Sequence, residues 1–169
     1  MSAVELTYKI DGTDAIVAKF GQLQRALADT TPIMGAIGLG LVRNTKDRFS
    51  SQTDPNGGAW KALTPDYAAM KKGPGILRES RTLFNTITYK ASRDSVEVGP
   101  NTIYAAIHQF GGTIKPKQAK ALAFPSQGGI SIVRKAVTIP ARPYLGINDA
   151  DRELILDVVE TALGQAIAS

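Results

Sequence analysis

Two short blocks constrain this chain more than anything else in it: Ile107-His108-Gln109-Phe110-Gly111-Gly112 and Ile139-Pro140-Ala141-Arg142-Pro143-Tyr144-Leu145-Gly146. Each joins large apolar or aromatic side chains to glycine or proline, which commit the backbone to particular conformations. Each carries few polar groups, and the first holds the only histidine of the chain. Such blocks suit packed walls and subunit contacts better than a reaction centre. The sequence therefore points to assembly.

Composition narrows the chemistry further. The chain has no cysteine, which excludes disulfides, thiolate zinc sites, iron–sulfur clusters and cysteine nucleophiles; its single histidine cannot supply paired imidazoles. No cofactor and no metal is expected. At 169 residues and 43% hydrophobic, the chain suits one domain spanning 1–169, and a chain of this size buries roughly two-thirds of its unfolded surface. No apolar run is long enough to span a membrane, and Met1-Ser2-Ala3-Val4-Glu5 lacks the basic start and apolar core of a signal peptide. The expectation is a cytosolic product with no membrane partner.

Charge is unevenly spread. Residues 1–60 hold 6 basic and 6 acidic side chains, residues 61–142 hold 13 and 4, and residues 143–169 hold 1 and 5. A basic middle followed by an acidic end can bind nucleic acid, or let the basic region of one copy meet the acidic helix of the next.

Periodicity predicts an α+β fold. Val4, Leu6 and Tyr8 alternate with polar residues as in a half-buried strand. Ile16, Phe20, Leu23 and Leu27 mark the buried face of a first helix, and Ile33, Ile37, Leu41 and Phe49 that of a second, with Thr31 as N-cap and Pro32 at its first position. Gly35, Gly38 and Gly40 each weaken that helix by up to about 1 kcal/mol relative to alanine, so close approach by a neighbouring backbone is expected. Turn chemistry at Gln52 to Gly58 delivers Trp60, a loop anchor, ahead of a short helix begun by Thr64 and Pro65; Ile76 to Phe84 follows as a helical or extended stretch. Thr86 to Lys90 and Ser95 to Gly99 read as a hairpin, and residues 113–139 as an extended hairpin or arm. Asn148 or Asp149 caps a last helix reaching Ile167. Two N-terminal helices and this C-terminal one would pack on a small, mainly antiparallel sheet formed by the first strand and the hairpins.

No catalytic constellation is evident. His108 has no oriented serine and carboxylate near it in sequence. Gly35 to Gly40 has glycine order inside a helical pattern, and no P-loop occurs. Asp149, Asp151 and Glu153 lack calcium-loop spacing and read as a helix start, while Asp66 and Glu79 cannot be set opposite one another from sequence. Lys71, Lys72, Arg78, Lys115, Lys117, Lys120, Arg134 and Lys135 fall in loops and hairpin flanks, where they can contact phosphates without reading sequence. Arg142, stiffened by Pro140 and Pro143, can pair with an acid of its own subunit or with a carboxylate on a neighbour.

These residues together carry a resemblance. Arg48-Phe49, Asp54-Pro55-Asn56-Gly57, Trp60, Ile76-Leu77-Arg78, Leu83, Val98-Gly99, Tyr104-Ala105 and the two blocks at 107–112 and 139–146 occur in an order and spacing that resemble the phage virion morphogenesis family. That family includes tail-completion proteins of Mu-like and related contractile-tailed phages. The resemblance implies a non-enzymatic virion protein, assembled in the host cytoplasm and acting in the neck at the head-proximal end of the tail. There it would complete or terminate the tail, as a tail terminator does, and enable head–tail joining. It further implies a homo-oligomer, a hexameric ring, with tail tube or sheath proteins, head–tail connector proteins and passing genomic DNA as partners. His108, Gln109, Phe110, Arg142 and Tyr144 would shape the fold or a subunit contact. Lys115, Lys117, Lys120, Arg134 and Lys135 would meet a partner or DNA.

Overall fold

The computed structural model describes residues 12–124 and 132–168. Helices α1 (Thr13–Ala26), α2 (Thr31–Ser51), α3 (Pro65–Met70) and α4 (Thr82–Asn85) precede a hairpin of β1 (Ile87–Ala91) and β2 (Val96–Pro100). Helix α5 (Ala105–Phe110), strands β3 (Gly112–Ile114), β4 (Leu122–Phe124), β5 (Ile132–Arg134) and β6 (Val137–Ile139), and helix α6 (Asp149–Ala168) complete the chain. The class is α+β, as the periodicity predicts. The expected strand at Val4 to Tyr8 lies outside the described residues.

Helix α2 is the organising element. Its buried residues Ile37, Leu41, Val42, Thr45, Arg48 and Phe49 recur at three- and four-residue spacing and so share one side. The β1–β2 hairpin and α6 both pack on α2, and α1 packs on α6. Glycine makes these approaches possible. A Cβ on Gly38 would sit 2.5 Å from the Tyr89 ring and 2.8 Å from Val96, and one on Gly40 would sit 2.6 Å from Leu154 of α6. The close approach expected from sequence exists, but side chains make it rather than a backbone. The helix starts one residue earlier than predicted, with Thr30 in the N-cap position and Asp29 Oδ1 accepting from the Thr31 amide at 3.0 Å.

The core gathers around Phe49. Its ring meets Trp60 edge-on at 5.3 Å and Phe84 at 5.8 Å, and lies tilted against Tyr144 at 5.2 Å. Leu83, Ile87 and Val42 close the cluster. Each fully buried side chain of this size contributes about 1.5–3 kcal/mol, and each aromatic pair about 0.5–1.5 kcal/mol beyond burial. Trp60 anchors its loop as expected, donating from Nε1 to the Pro143 carbonyl at 2.7 Å.

Three expectations need correction. The stripe on α1 does not face a core: Ile16 is 56% exposed and Phe20 67%, with Leu27 also exposed. Ile76 to Arg81 forms turns rather than a regular element, and only Thr82–Asn85 is helical. The described strands form three separate antiparallel pairs, β1 with β2, β3 with β6 and β4 with β5, rather than one joined sheet.

The last two pairs build the arm. Gly112 pairs with Ile139 and Ile114 with Val137, and further out Leu122 pairs with Arg134 and Phe124 with Ile132. The arm is therefore a two-tier hairpin close to the expected 113–139. Its tip, residues 125–131, falls outside the described residues.

Candidate functional site

The two sequence blocks are the two roots of this arm, one entering it and the other leaving it. Helix α5 ends at Gly111, whose φ of 71° lies where L side chains are strained. A Cβ there would come within 2.7 Å of the Ala141 amide nitrogen, so only glycine lets the outgoing strand pass. The Arg142 amide donates to the His108 carbonyl at 2.8 Å, tying the roots together by their main chains.

Gln109 completes the join. Its Oε1 accepts from the amides of Tyr144 and Leu145, both at 3.0 Å, while Nε2 donates to the Leu145 carbonyl at 2.9 Å. One side-chain amide thus satisfies three main-chain groups of an extended segment, as a neighbouring strand would. Tyr144 is completely buried and donates from its hydroxyl to the Ala105 carbonyl at 3.2 Å. Burial pushes that phenol up to about 12, so it remains a donor.

Arg142 is buried and turns inward. Its Nε donates to the Lys61 carbonyl at 2.8 Å and a terminal nitrogen to Ala62 at 3.3 Å. The same-subunit acid considered from sequence is thereby corrected: among the described residues the guanidinium binds carbonyls of the Trp60 loop, where the rigid Pro-Ala-Arg-Pro backbone aims it, and not a carboxylate. His108 is half-buried, with the Tyr104 ring edge-on at 5.9 Å. Burial and then the nearby Arg142 cation hold its imidazole below the usual histidine range, which favours the neutral form. Phe110 alone among the five faces outward, 78% exposed at the foot of the arm.

Sequence reasoning missed the second tie beneath the roots. Arg48 donates to the Tyr144 carbonyl at 3.2 Å and to Gly146 at 2.9 Å, and forms a buried ion pair with Asp151. Asn44 donates to the other Asp151 oxygen at 2.8 Å. Asp151 also makes a reciprocal cap with Asn148: the Asn148 amide donates to Asp151 Oδ2 at 3.0 Å, and the Asp151 amide to Asn148 Oδ1 at 2.9 Å. The available signal was an arginine inside the apolar stripe of α2 and an acid three residues after a cap residue. Asp149 and Asp151 belong to a helix start, as expected.

The arm itself is basic. Lys115, Lys117, Lys120, Arg134 and Lys135 are all exposed, and the sequence contains no acid between Glu97 and Asp149. Two other basic residues of the middle region are engaged elsewhere. Lys71 pairs with Glu79 at 2.7 Å, and the Arg78 guanidinium lies 5.1 Å over the Phe84 ring. The Lys71 partner holds the Glu79 carboxyl below its ordinary range. Among the described residues no group of His, Asp or Glu is placed to hold a metal ion, and no helix is long and apolar enough to cross a membrane.

An α+β domain that projects a rooted basic arm has the form of an assembly component. The phage virion morphogenesis family matches residues 11–164, and the chain belongs to that family. It is similar to "Putative capsid assembly protein G" of Escherichia phage Mu, 31% identical over 133 residues that cover 75% of each chain. It is also similar to "Mu-like prophage FluMu G protein 2" of Haemophilus influenzae, 28% identical over 152 residues covering 90% of this chain and 91% of the relative. No solved structure gives a significant match.

Proposed function

We propose that this protein is a structural, non-enzymatic subunit of the virion that acts at the head-proximal end of the tail, completing the tail and enabling head–tail joining as a ring. The observation that carries the reading is the arm: both of its ends are fastened to the core by part-buried hydrogen bonds, while its length presents charge and apolar surface outward. A projecting element with a fixed root suits reaching a neighbouring protein. The name of the phage Mu relative also speaks of assembly. Phe110, exposed at the foot of the arm, is the side chain of the first block placed to touch a partner.

Imaging of particles carrying a labelled copy, beside particles made without the protein, tests this. Label at the head–tail junction, with loose heads and unjoined or overlong tails when the protein is missing, is the expected result. Label elsewhere, or normal joining without it, overturns the reading.

A second reading, sequence-independent contact with the genome, is favoured by the five exposed arm cations in a stretch without acids. It expects DNA retention that falls steeply with salt and is lost with Lys115, Lys117 and Lys120.

A further inference from the structure

We propose that the arm of one copy lies along the outer face of α6, and into the groove between α1 and α6, of a second copy of this chain. The virion-assembly reading above is assumed only for where the contact is used.

The receiving surface has two parts. Ala15, Ile16, Phe20 and Leu23 of α1 and Ile167 of α6 line a largely apolar groove on the surface, whose one charged lining residue, Lys19, donates to the Ile167 carbonyl. Covering Ile16 and Phe20 would take their exposed apolar surface out of water. On α6, Glu153, Asp157 and Glu160 are all exposed and spaced four and three residues apart, so they form one stripe with Leu156 beside them. Helical periodicity places Ile167 on that same side, so the acidic stripe runs into the groove.

The arm matches this surface in sign, pattern and length. Its five exposed cations face three exposed carboxylates, and Ile114, Phe124 and Val133 stand exposed among them. Glu153 to Ile167 spans about 21 Å of helix. Extended chain from Ile132 to Ile139 reaches up to about 23 Å. A phosphate backbone would satisfy the cations but leave Ile114, Phe124, Val133 and Phe20 uncovered. A second copy covers both kinds of surface. Arm and groove are different surfaces, so the contact is head-to-tail and can repeat from copy to copy.

The absence of native cysteine gives a clean test. In the purified full chain, Val133→Cys is combined in turn with Leu156→Cys, Gly164→Cys or Ile167→Cys and oxidised at high protein concentration. At least one pair should give a ladder of dimers, trimers and higher species, whereas the two single variants mixed should stop at a dimer. Adding Arg134→Glu and Lys135→Glu should cut the ladder at least tenfold, and Glu153→Lys with Asp157→Lys should restore it in that background. Unchanged circular dichroism melting shows that the variants remain folded. No ladder from any pair, a cross-link only within one chain, or a ladder indifferent to charge reversal overturns the proposal. If reversal removes retention on DNA and leaves the ladder unchanged, the arm is a nucleic-acid surface instead. Loss of the ladder removes this contact and leaves the virion role standing, because that role is decided by particle imaging.

Discussion

The root of the arm and its outer length use basic side chains in opposite ways. At the root, Arg48 and Arg142 are buried, and carbonyls together with one carboxylate satisfy their guanidiniums. Along the arm, Arg134 and four lysines stand in water with no acid nearby in sequence. The excess of basic residues over 61–142 therefore overstates the usable basic surface. Arg142 is internal, Lys71 is paired and Arg78 covers a ring; the arm carries five exposed cations, and Lys61, Lys72, Arg81, Lys90 and Arg93 are exposed elsewhere. Internal arginines hold the platform, and the arm's cations stay in water.

The sharpest way to break this contrast is Asp151→Ala. It strands the buried Arg48 and removes the cap of α6, and the loss of one partner of a buried pair costs about 3–5 kcal/mol. Urea unfolding should show the drop; a change under about 1 kcal/mol would mean the pair does not hold the root. Next comes Gln109→Ala, which leaves two amides and a carbonyl of residues 144–145 without partners. About 2–4 kcal/mol is expected, since each orphaned buried group costs about 1–3 kcal/mol and water can reach some of them.

Smaller effects distinguish the glycines of α2. Gly38→Ala forces a Cβ against Tyr89 and Val96 and should cost about 1–3 kcal/mol. Gly35→Ala meets only the Tyr89 hydroxyl at 4.0 Å, so the helix propensity gain of about 0.5–1 kcal/mol should appear as added stability. Equal effects at the two positions would refute the side-chain approach seen at Gly38.

His108 titrates below the ordinary histidine value of 6.5 in the fold, so the unfolded chain binds that proton more readily. Its contribution to stability is present above pH 6.5 and is lost as pH falls from there toward the folded value. His108→Asn should flatten this part of a stability–pH profile; an unaltered slope would assign it to other groups. The smallest effect is expected on the arm, where Lys117→Glu should change unfolding free energy by no more than about 0.5 kcal/mol. A larger loss would show that the outer arm, too, is structural.

Much of the fold was legible because periodicity and turn chemistry are local. The stripe on α2, the β1–β2 hairpin, the Thr64-Pro65 helix start and the cap of α6 all follow from neighbours a few residues apart. The arm was legible for the same reason, its flanks being extended and its ends marked by glycine and proline. Helix α1 shows the limit. Its apolar spacing states that one side is amphipathic, but not what covers it, and within the described residues Ile16 and Phe20 remain exposed. The site residues divide in the same way. The family resemblance marked Gln109, Arg142 and Tyr144 as important, yet not that one side-chain amide would serve three main-chain groups.

By itself the sequence determined most of the elements, though not α5, together with the family and the absence of thiol chemistry, because these depend on residue identity and short-range spacing. Only the tertiary structure decided that the two blocks are the roots of one arm and that Arg142 points inward. It alone brought Arg48 to Asp151 across 103 positions of chain. The physical reason is that a buried guanidinium donates to whichever oxygens packing brings to it, and that depends on how distant segments cross rather than on any local pattern.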